Sequence, residues 1–428
     1  MSEDLKTKVA LVCCTGLFAS IAERLARDFG TVYLHVPNEG AFPKLNAGII
    51  GFGLKNVTLV DDVFGPHFDE VDLFVFPDLG NAPMQIHLEK LGKRCWGARN
   101  AEELEVYREV NKREMEKLGL AVQPWKIVKG VTALEAYLRA HPDTHVKINR
   151  FRGVTETFFA PSWEIIEPKV HAIGETLGGF KESLDFIVED DLPDRVETGT
   201  DAFVIDGQWP KLVTVGVEAK DLGWVGKVVP AASLPKPIWE WNDAMSPVFA
   251  KYGARSFVST EIRIGEDHIP YMIDATIRVP SPPGELWEEL FSNYCEIIWE
   301  GANGVLVEPE PVALWGVHII IKSNWAKENW QLVEYPEEFA NQIKLYNPAV
   351  IDGKRYVVPQ DEDMPEIGAV VGWGDSMEAA VEHARKAGES IVGFGIKFDL
   401  GPTDNITKSL QELEDMGISP FSLSKAEK

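Results

Sequence analysis

The first 110 residues alternate short apolar runs with helical periodicity, and this alternation narrows the possible folds more than any other feature of the chain. Lys8–Cys13 is an apolar run of the length of a buried strand. Phe18, Ile21, Ala22, Leu25, Ala26 and Phe29 then recur at the three- and four-residue intervals of one helix face. Thr31–Val36, Asn56–Val60, Leu73–Phe76 and Arg94–Trp96 read as further strands, with a short helix at Met84–Leu91. Strands joined through helices build a mostly parallel sheet with helices on both faces. The split at Thr15-Gly16 into strand and helix, with Glu3 and Asp4 offsetting Lys6 and Lys8, also sets this segment apart from a secretory leader.

The pattern then changes. Asn100–Leu118 reads as one helix, capped by Asn100, with Glu102 and Glu103 in its first turn and Gly119 at its end. A small α/β segment follows: strand Pro124–Val128, helix Val131–His141, strand Thr144–Ile148. From Asp185 to Arg278 strands dominate, at Phe186–Glu189, Ala202–Ile205, Leu212–Glu218, Ser256–Ile264 and Pro270–Val279, with one helix at Ile238–Tyr252. Their spacing fits hairpins of an antiparallel sheet. Gly284–Glu300 reads as a long helix with Leu290, Tyr294, Ile297 and Ile298 on its core face. Strands Val317–Ile321 and Ala369–Gly372 and helix Ser376–Val392 follow, and the last ~25 residues are polar and expected at the periphery. The fold class is therefore mixed α/β and α+β.

The charge balance excludes some functions. With 42 basic and 67 acidic residues the net charge is −25. Nucleic acid and anionic membrane surfaces, which both need basic residues, are not expected partners. No apolar run approaches the ~18 residues of a membrane span. The four cysteines, Cys13, Cys14, Cys95 and Cys295, form no C-x-x-C pair, which fits small buried hydrophobes in a reducing cytoplasm. There is no phosphate loop of the G-x-x-x-x-G-K-[ST] type, no H-E-x-x-H and no G-x-S-x-G, and Cys13-Cys14-Thr15-Gly16 stands where a dinucleotide fold carries its glycines.

A dispersed set of charged residues remains. Lys112 lies on the helix before the small α/β segment, and Lys147 on its last strand in Val146-Lys147-Ile148. Glu189 ends the strand Phe186–Glu189, and Glu197 follows eight residues later. Glu261 and Arg263 lie on one arm of an acidic hairpin, Asp274, Thr276 and Arg278 on the other. Lysines neutralise phosphates as point charges, and hairpin acids suit Mg²⁺, a hard cation that takes oxygen ligands. Each residue also has a plainer role available, as a solvated helix lysine, an acidic turn or the polar face of a hairpin.

The order of these residues resembles the ATP-grasp superfamily and, within it, the phosphoribosylamine–glycine ligases. The resemblance rests on Asn111-Lys112-Arg113-Glu114-Met115-Glu116-Lys117-Leu118-Gly119 followed by Pro124, on Val146-Lys147, on Glu189 and Glu197, and on Asp274-Ala275-Thr276-Ile277-Arg278. Gly372-Trp373-Gly374-Asp375-Ser376-Met377-Glu378-Ala379-Ala380 is similar to a stretch of the last domain of those ligases, as are Val317–Lys322 and Tyr335-Pro336 to an earlier one. The resemblance implies a pre-ATP-grasp domain over residues 1–110, an ATP-grasp domain over 111–310 with lobes at 111–185 and 186–310, and a C-terminal domain over 311–428. It implies an ADP-forming ligase in which ATP phosphorylates a small-molecule carboxylate and an amine attacks the acyl phosphate. It implies that Lys112, Lys147, Arg152, Glu189 and Glu197 bind ATP, that Glu261, Asp274 and Thr276 hold Mg²⁺ or Mn²⁺, and that Arg278 and Lys220 serve catalysis.

The chain departs from the family pattern at three places. The loop Asn149-Arg150-Phe151-Arg152-Gly153-Val154-Thr155 has one glycine where the family has several, Thr276 replaces a metal-binding asparagine, and the N-terminal glycine-rich phrase of the purine enzyme is missing. The expectation is accordingly a ligase acting on other substrates than phosphoribosylamine and glycine. A non-catalytic ATP-binding protein of the same fold and the purine ligase itself remain the alternatives.

Overall fold

Five short strands at the N-terminal end form a parallel sheet: β1 Val9–Cys13, β2 Thr31–His35, β3 Val57–Leu59, β4 Leu73–Val75 and β5 Arg94–Trp96, in the order β3-β2-β1-β4-β5. The structure is a computed structural model and describes residues 4–37, 47–148, 157–193, 195–219, 222–359 and 365–418. β1 is apolar throughout because both its faces are covered. Ala10 and Val12 enter one core with helix Ala19–Leu25, and Leu11 and Cys13 enter another with Leu88 of helix Ala82–Lys90.

The chain divides into two compact units. One comprises Met1–Glu102, Glu197–Thr260 and Thr276–Lys428, the other Glu103–Val196 and Glu261–Ala275. The second unit is built on a four-stranded antiparallel sheet of β6 Trp125–Lys129, β7 Thr144–Ile148, β8 Thr157–Ala160 and β9 Asp185–Asp190, ordered β6-β9-β7-β8. Its apolar face presents Val146, Ile148, Phe158, Ala160, Phe186 and Val188 to Leu134 and Leu138 of helix Val131–Ala140 and to Ile166, Val170 and Ile173 of helix Trp163–Leu177. Sequence reading passes over the second of these helices. Pro168 lies within it and breaks the expected pattern, yet the buried positions keep helical spacing.

The remaining strands are β10 Val196–Ile205, β11 Leu212–Ala219, β12 Gly223–Pro230, β13 Arg255–Ile264, β14 Tyr271–Thr276, β15 Trp315–Lys322, β16 Gln331–Val333, β17 Ile343–Leu345, β18 Pro348–Ile351, β19 Lys354–Val357 and β20 Glu366–Gly374. β13 lies beside β10, and β10-β11-β12-β15-β20-β17 continue the sheet, while β16-β19-β18 form a small separate one. Beyond Thr260, β13 runs on into the hairpin with β14 that belongs to the second unit. Aromatic rings fill the core beneath the large sheet. Phe257 stacks on Tyr294 at 5.6 Å and meets Trp96 and Trp287 at 5.1 Å each.

Two expected helices are broken, each for a backbone reason. The Asn100–Leu118 helix is interrupted at Tyr107, whose φ of −107° and ψ of 79° are not helical, and Arg108–Lys117 starts afresh from there. The Gly284–Glu300 helix is two pieces, Gly284–Leu290 and Tyr294–Gly301. Between them Phe291 bridges Pro311 and the Ser292 amide donates to the Glu310 carbonyl at 2.9 Å, so these groups are taken from the helix ladder. Leu290, Tyr294, Ile297 and Ile298 are all buried, as the periodicity requires. The C-terminal segment is less peripheral than its polarity suggests. Helix Pro402–Asp415 packs against β11 and β12 and buries Ile406 and Leu413. The four thiols are buried and free, and burial pushes Cys13 and Cys95 up to about 12, far from nucleophilic use at neutral pH. Among the described residues no helix is long and apolar enough to cross a membrane.

One buried acid in this unit makes stability depend on pH. Asp201, on β10, accepts from Ser259 Oγ at 2.5 Å and Trp224 Nε1 at 3.1 Å, and burial pushes its carboxyl up to about 7. An acid whose folded pKa exceeds its unfolded value stabilises fully below the unfolded value and loses that contribution as pH rises through the window, here from 3.8 to about 7. The loss amounts to about 4 kcal/mol at most. Asp201→Asn should flatten the fall in denaturation midpoint between pH 4 and pH 8 relative to the parent chain. Parallel profiles for the two proteins would contradict this.

Candidate functional site

Strand periodicity gives the second unit's sheet two unlike faces. β7 and β9 pair so that Lys147 stands opposite Ile187 and His145 opposite Glu189. Lys147 and Glu189 are therefore diagonal neighbours on the face away from the two helices. That face is nevertheless buried where it carries charge. Lys147 is 3% exposed, Glu189 1%, and Lys112, reaching in from helix Arg108–Lys117, 4%.

The three side chains form one ion cluster. Lys112 Nζ lies 2.6 Å from Glu189 Oε1, and Lys147 Nζ lies 3.5 Å from Glu189 Oε2. Lys147 Nζ also donates to the Ile273 carbonyl on β14 at 2.5 Å, which ties the sheet to the acidic hairpin within the same unit. Gln123 Nε2 donates to Glu189 Oε2 at 2.9 Å. Arg108, one helical turn before Lys112, donates to the Ile148 carbonyl at 3.2 Å and stands 3.5 Å from Asp274 Oδ2.

The charges respond to one another. Burial raises the Glu189 carboxyl, but Lys147 and Lys112 outweigh it and hold the group below the usual carboxylate value. Burial opposes the charge of Lys147, and Glu189, Asp274 and Glu261 overcome this, leaving its pKa above the ordinary lysine value. Lys112 has Glu189 as its main counter-charge and feels Lys147 as a like charge, so burial dominates and its pKa is lowered. One carboxylate thus serves two ammonium groups, and the cluster carries a surplus positive charge in a low-dielectric setting.

The sequence-predicted residues fall into three groups. Lys112, Lys147, Glu189 and Asp274 come together in the second unit, and Glu261 acts on Lys147 there electrostatically. Between β13 and β14 a turn closes over Gly265-Glu266-Asp267-His268, where the His268 amide donates to the Gly265 carbonyl at 2.9 Å. Glu197, Thr276 and Arg278 belong to the first unit. Glu197 is half-buried at the start of β10, and Thr276 ends β14, two residues beyond Asp274. Arg278 stands 3.8 Å from Asp78 Oδ1 in the loop after β4, and the Val279 amide donates to the Pro77 carbonyl at 3.0 Å. Arg152, Arg150 and Lys220 lie outside the described residues.

Gln123 and Arg108 were not singled out from the sequence. Arg108 was legible, since it precedes Lys112 by four residues and shares its helix face. Gln123 gives no local signal, because its partner Glu189 is 66 residues away.

Glu189→Gln leaves two buried ammonium groups without their shared counter-charge and should destabilise the chain by about 3–5 kcal/mol. Lys112→Met should cost less, because Glu189 keeps Lys147 and Gln123. Chemical denaturation of both variants checks the order, and a milder effect for Glu189→Gln would refute the cluster's arrangement.

No sequence-family profile matches the chain, and comparison with curated protein sequences finds no match. Solved structures do match over almost the whole chain. A phosphoribosylamine–glycine ligase from Thermotoga maritima superimposes with a TM-score of 0.69 at 17% identity, covering 92% of this chain and 99% of that one. The biotin carboxylase domain of the 2-oxoglutarate carboxylase from Hydrogenobacter thermophilus, solved with MgADP and bicarbonate, gives 0.67 at 15% identity, covering 98% and 99%. An L-amino acid ligase from Bacillus licheniformis gives 0.60 at 13% identity, covering 91% and 99%. At such identities the likeness is one of fold, and that fold is the one implied by the ATP-grasp resemblance.

Proposed function

We propose that the protein is an ATP-dependent ligase that joins a small-molecule carboxylate to an amine, forming a carbon–nitrogen bond with release of ADP. The observation that carries this reading is the buried Lys112–Glu189–Lys147 cluster beside the Asp274 hairpin, on a chain with the fold of ligases and of a carboxylase solved with MgADP. Lys147 and Lys112 hold phosphate oxygens, joined by Arg152. Glu189 and Glu197 contact the base and ribose. Glu261, Asp274 and Thr276 offer two carboxylates and a hydroxyl, an all-oxygen set that fits a hard divalent cation. Among the described residues no group of three or more His, Cys, Asp or Glu is placed to hold a metal, so phosphate oxygens are needed to complete this set. Bound there, Mg²⁺ would neutralise phosphate charge during transfer. Arg278 steadies the reacting carboxylate and phosphoryl oxygens, and Lys220 supports them. The protein contributes position and electrostatics and needs no nucleophile of its own.

A second reading, an ATP-binding protein without turnover, is favoured by one observation: both lysines already have Glu189 as a partner. The two differ in a direct assay. The ligase releases ADP only when both a carboxylate and an amine are supplied, which a panel of acids and amines reads out. ATP binding without such release across the panel supports the second reading. The purine substrates are not expected to be the right pair, given the missing glycine-rich phrase after β1. Rapid ADP release with phosphoribosylamine and glycine would overturn that expectation.

Lys147→Ala should weaken ATP binding by about tenfold or more, since it removes a desolvated charge from the phosphates. The fold should survive, because Glu189 keeps Lys112 and Gln123. Calorimetric titration with ATP checks this, and unchanged affinity would remove Lys147 from the site.

A further inference from the structure

Ser281 is an exposed residue of the first unit whose hydroxyl is held from behind by buried groups. Its Oγ donates to Glu285 Oε1 at 2.6 Å and lies 2.8 Å from the hydroxyl of Tyr346. His318 Nε2, on β15, stands 3.0 Å from the other carboxylate oxygen, Oε2. Glu285, His318 and Tyr346 are 2%, 0% and 4% exposed. Burial raises the Glu285 carboxyl, but His318 and Ser281 outweigh it and hold the group below the usual carboxylate value.

The protons of this chain of side chains can be placed. An ionised carboxylate only accepts, so Ser281 gives Glu285 its single hydroxyl proton and His318 carries a proton on Nε2. Tyr346 is then the donor toward Ser281, which has no second proton to give. What Ser281 turns outward is a lone pair alone. Carboxylate and phosphate oxygens are acceptors and gain nothing there, whereas an N–H group completes the oxygen.

The loop that carries Ser281 adjoins the carboxyl end of the parallel sheet, where the Val279 amide donates to the Pro77 carbonyl. The chain leaves β1 for β2 and β4 for β5 on opposite sides, so a crevice opens between the ends of β1 and β4, where open sheets of this kind take ligands. Half-buried Asp78 stands there, with Thr15 Oγ1 3.4 Å from its Oδ2 and Arg278 Nε 3.8 Å from its Oδ1. The places that would receive an anion are already filled. The amides of Gly80, Asn81 and Ala82, at the start of helix Ala82–Lys90, all donate to Glu102 Oε2, at 2.9, 3.1 and 3.2 Å. Over the turn after β1, a Cβ on Gly16 would lie 1.9 Å from Asn347 Oδ1, so the side chain of Asn347 occupies that space.

We infer that this crevice binds the amine substrate as an unphosphorylated ammonium, with Asp78 as its counter-charge and Ser281 Oγ as an acceptor held in that role by Glu285 and Tyr346. This rests on the ligase reading, which gives the reacting carboxylate to Arg278 and so sets the amine beside it.

The test is ADP release by the full chain over primary amines supplied in matched pairs with and without phosphate, ethanolamine with O-phosphoethanolamine and serine with O-phosphoserine among them. Productive pairs should favour the unphosphorylated member by about tenfold or more in kcat/KM. For a productive amine, Ser281→Ala should raise its KM by about tenfold while the KM for ATP stays within about twofold, and Ser281→Thr, which keeps the hydroxyl, should restore it. Asp78→Asn should raise the same KM by about tenfold or more. Preference for the phosphorylated members, or an amine KM unchanged in a folded Ser281→Ala or Asp78→Asn, would overturn the inference and leave the ligase standing. No ADP release with any amine, while ATP still binds, would instead remove the ligase reading and this inference with it.

Discussion

A carboxylate shared by two buried ammonium groups is the constraint around which the second unit is arranged. Taking three charges out of water is expensive, and close pairing with additional hydrogen bonds offsets that cost. Glu189 satisfies this by receiving Lys112 from a helix, Lys147 from the adjacent strand and Gln123 from the connecting loop. Those three elements, and the hairpin carbonyl that accepts from Lys147, are thereby fixed around one point. The sheet beneath can supply that point because its other face is already sealed by two helices.

The first unit contains buried ion clusters too, and the comparison is informative. Lys344 lies between Glu288 at 2.8 Å and Glu289 at 2.6 Å, and Glu289 is gripped by Arg27 through both carboxylate oxygens. Two cations meet two anions, so the set closes to neutrality and behaves as an internal fastener between elements. Lys112, Lys147 and Glu189 do not close in this way. They become neutral only when Arg108, Asp274 and Glu261 are counted with them. On the proposed reading a divalent cation on those acids would return the surplus positive charge to the phosphates. Such a balance gives an anion and a cation a reason to bind together.

Much of this was legible in the sequence, for reasons tied to particular residues. β1 reads as a buried strand because Val9–Cys13 is apolar on both faces. Lys147 stood out because a lysine between Val146 and Ile148 on a sheet strand demands a partner, and Glu189 because it closes an apolar run. Interactions between distant segments were not legible. The Glu310 carbonyl that interrupts the helix at Ser292 and the glutamine that orients Glu189 leave no local trace. Helix Trp163–Leu177 was hidden by Pro168, whose local cost is outweighed by the burial of Trp163, Ile166, Val170 and Ile173. Helix Pro402–Asp415 was hidden by its composition, since Ile406 and Leu413 are sparse in a polar stretch.

The second unit is discontinuous in sequence, with Glu103–Val196 completed by Glu261–Ala275. Lys147 and the Ile273 carbonyl that accepts its hydrogen bond are 126 residues apart. On a ribosome, where chain is made from the N-terminus onward, the sheet and both its helices are synthesised long before that carbonyl exists. Until then the ammonium group of Lys147 has Glu189 but not its backbone acceptor, and its face of the sheet lacks the hairpin. The nascent unit is thus closed on its apolar side first and on its charged side last. A chain ended before residue 261 would carry the strands and the lysines of the site without the segment that completes it.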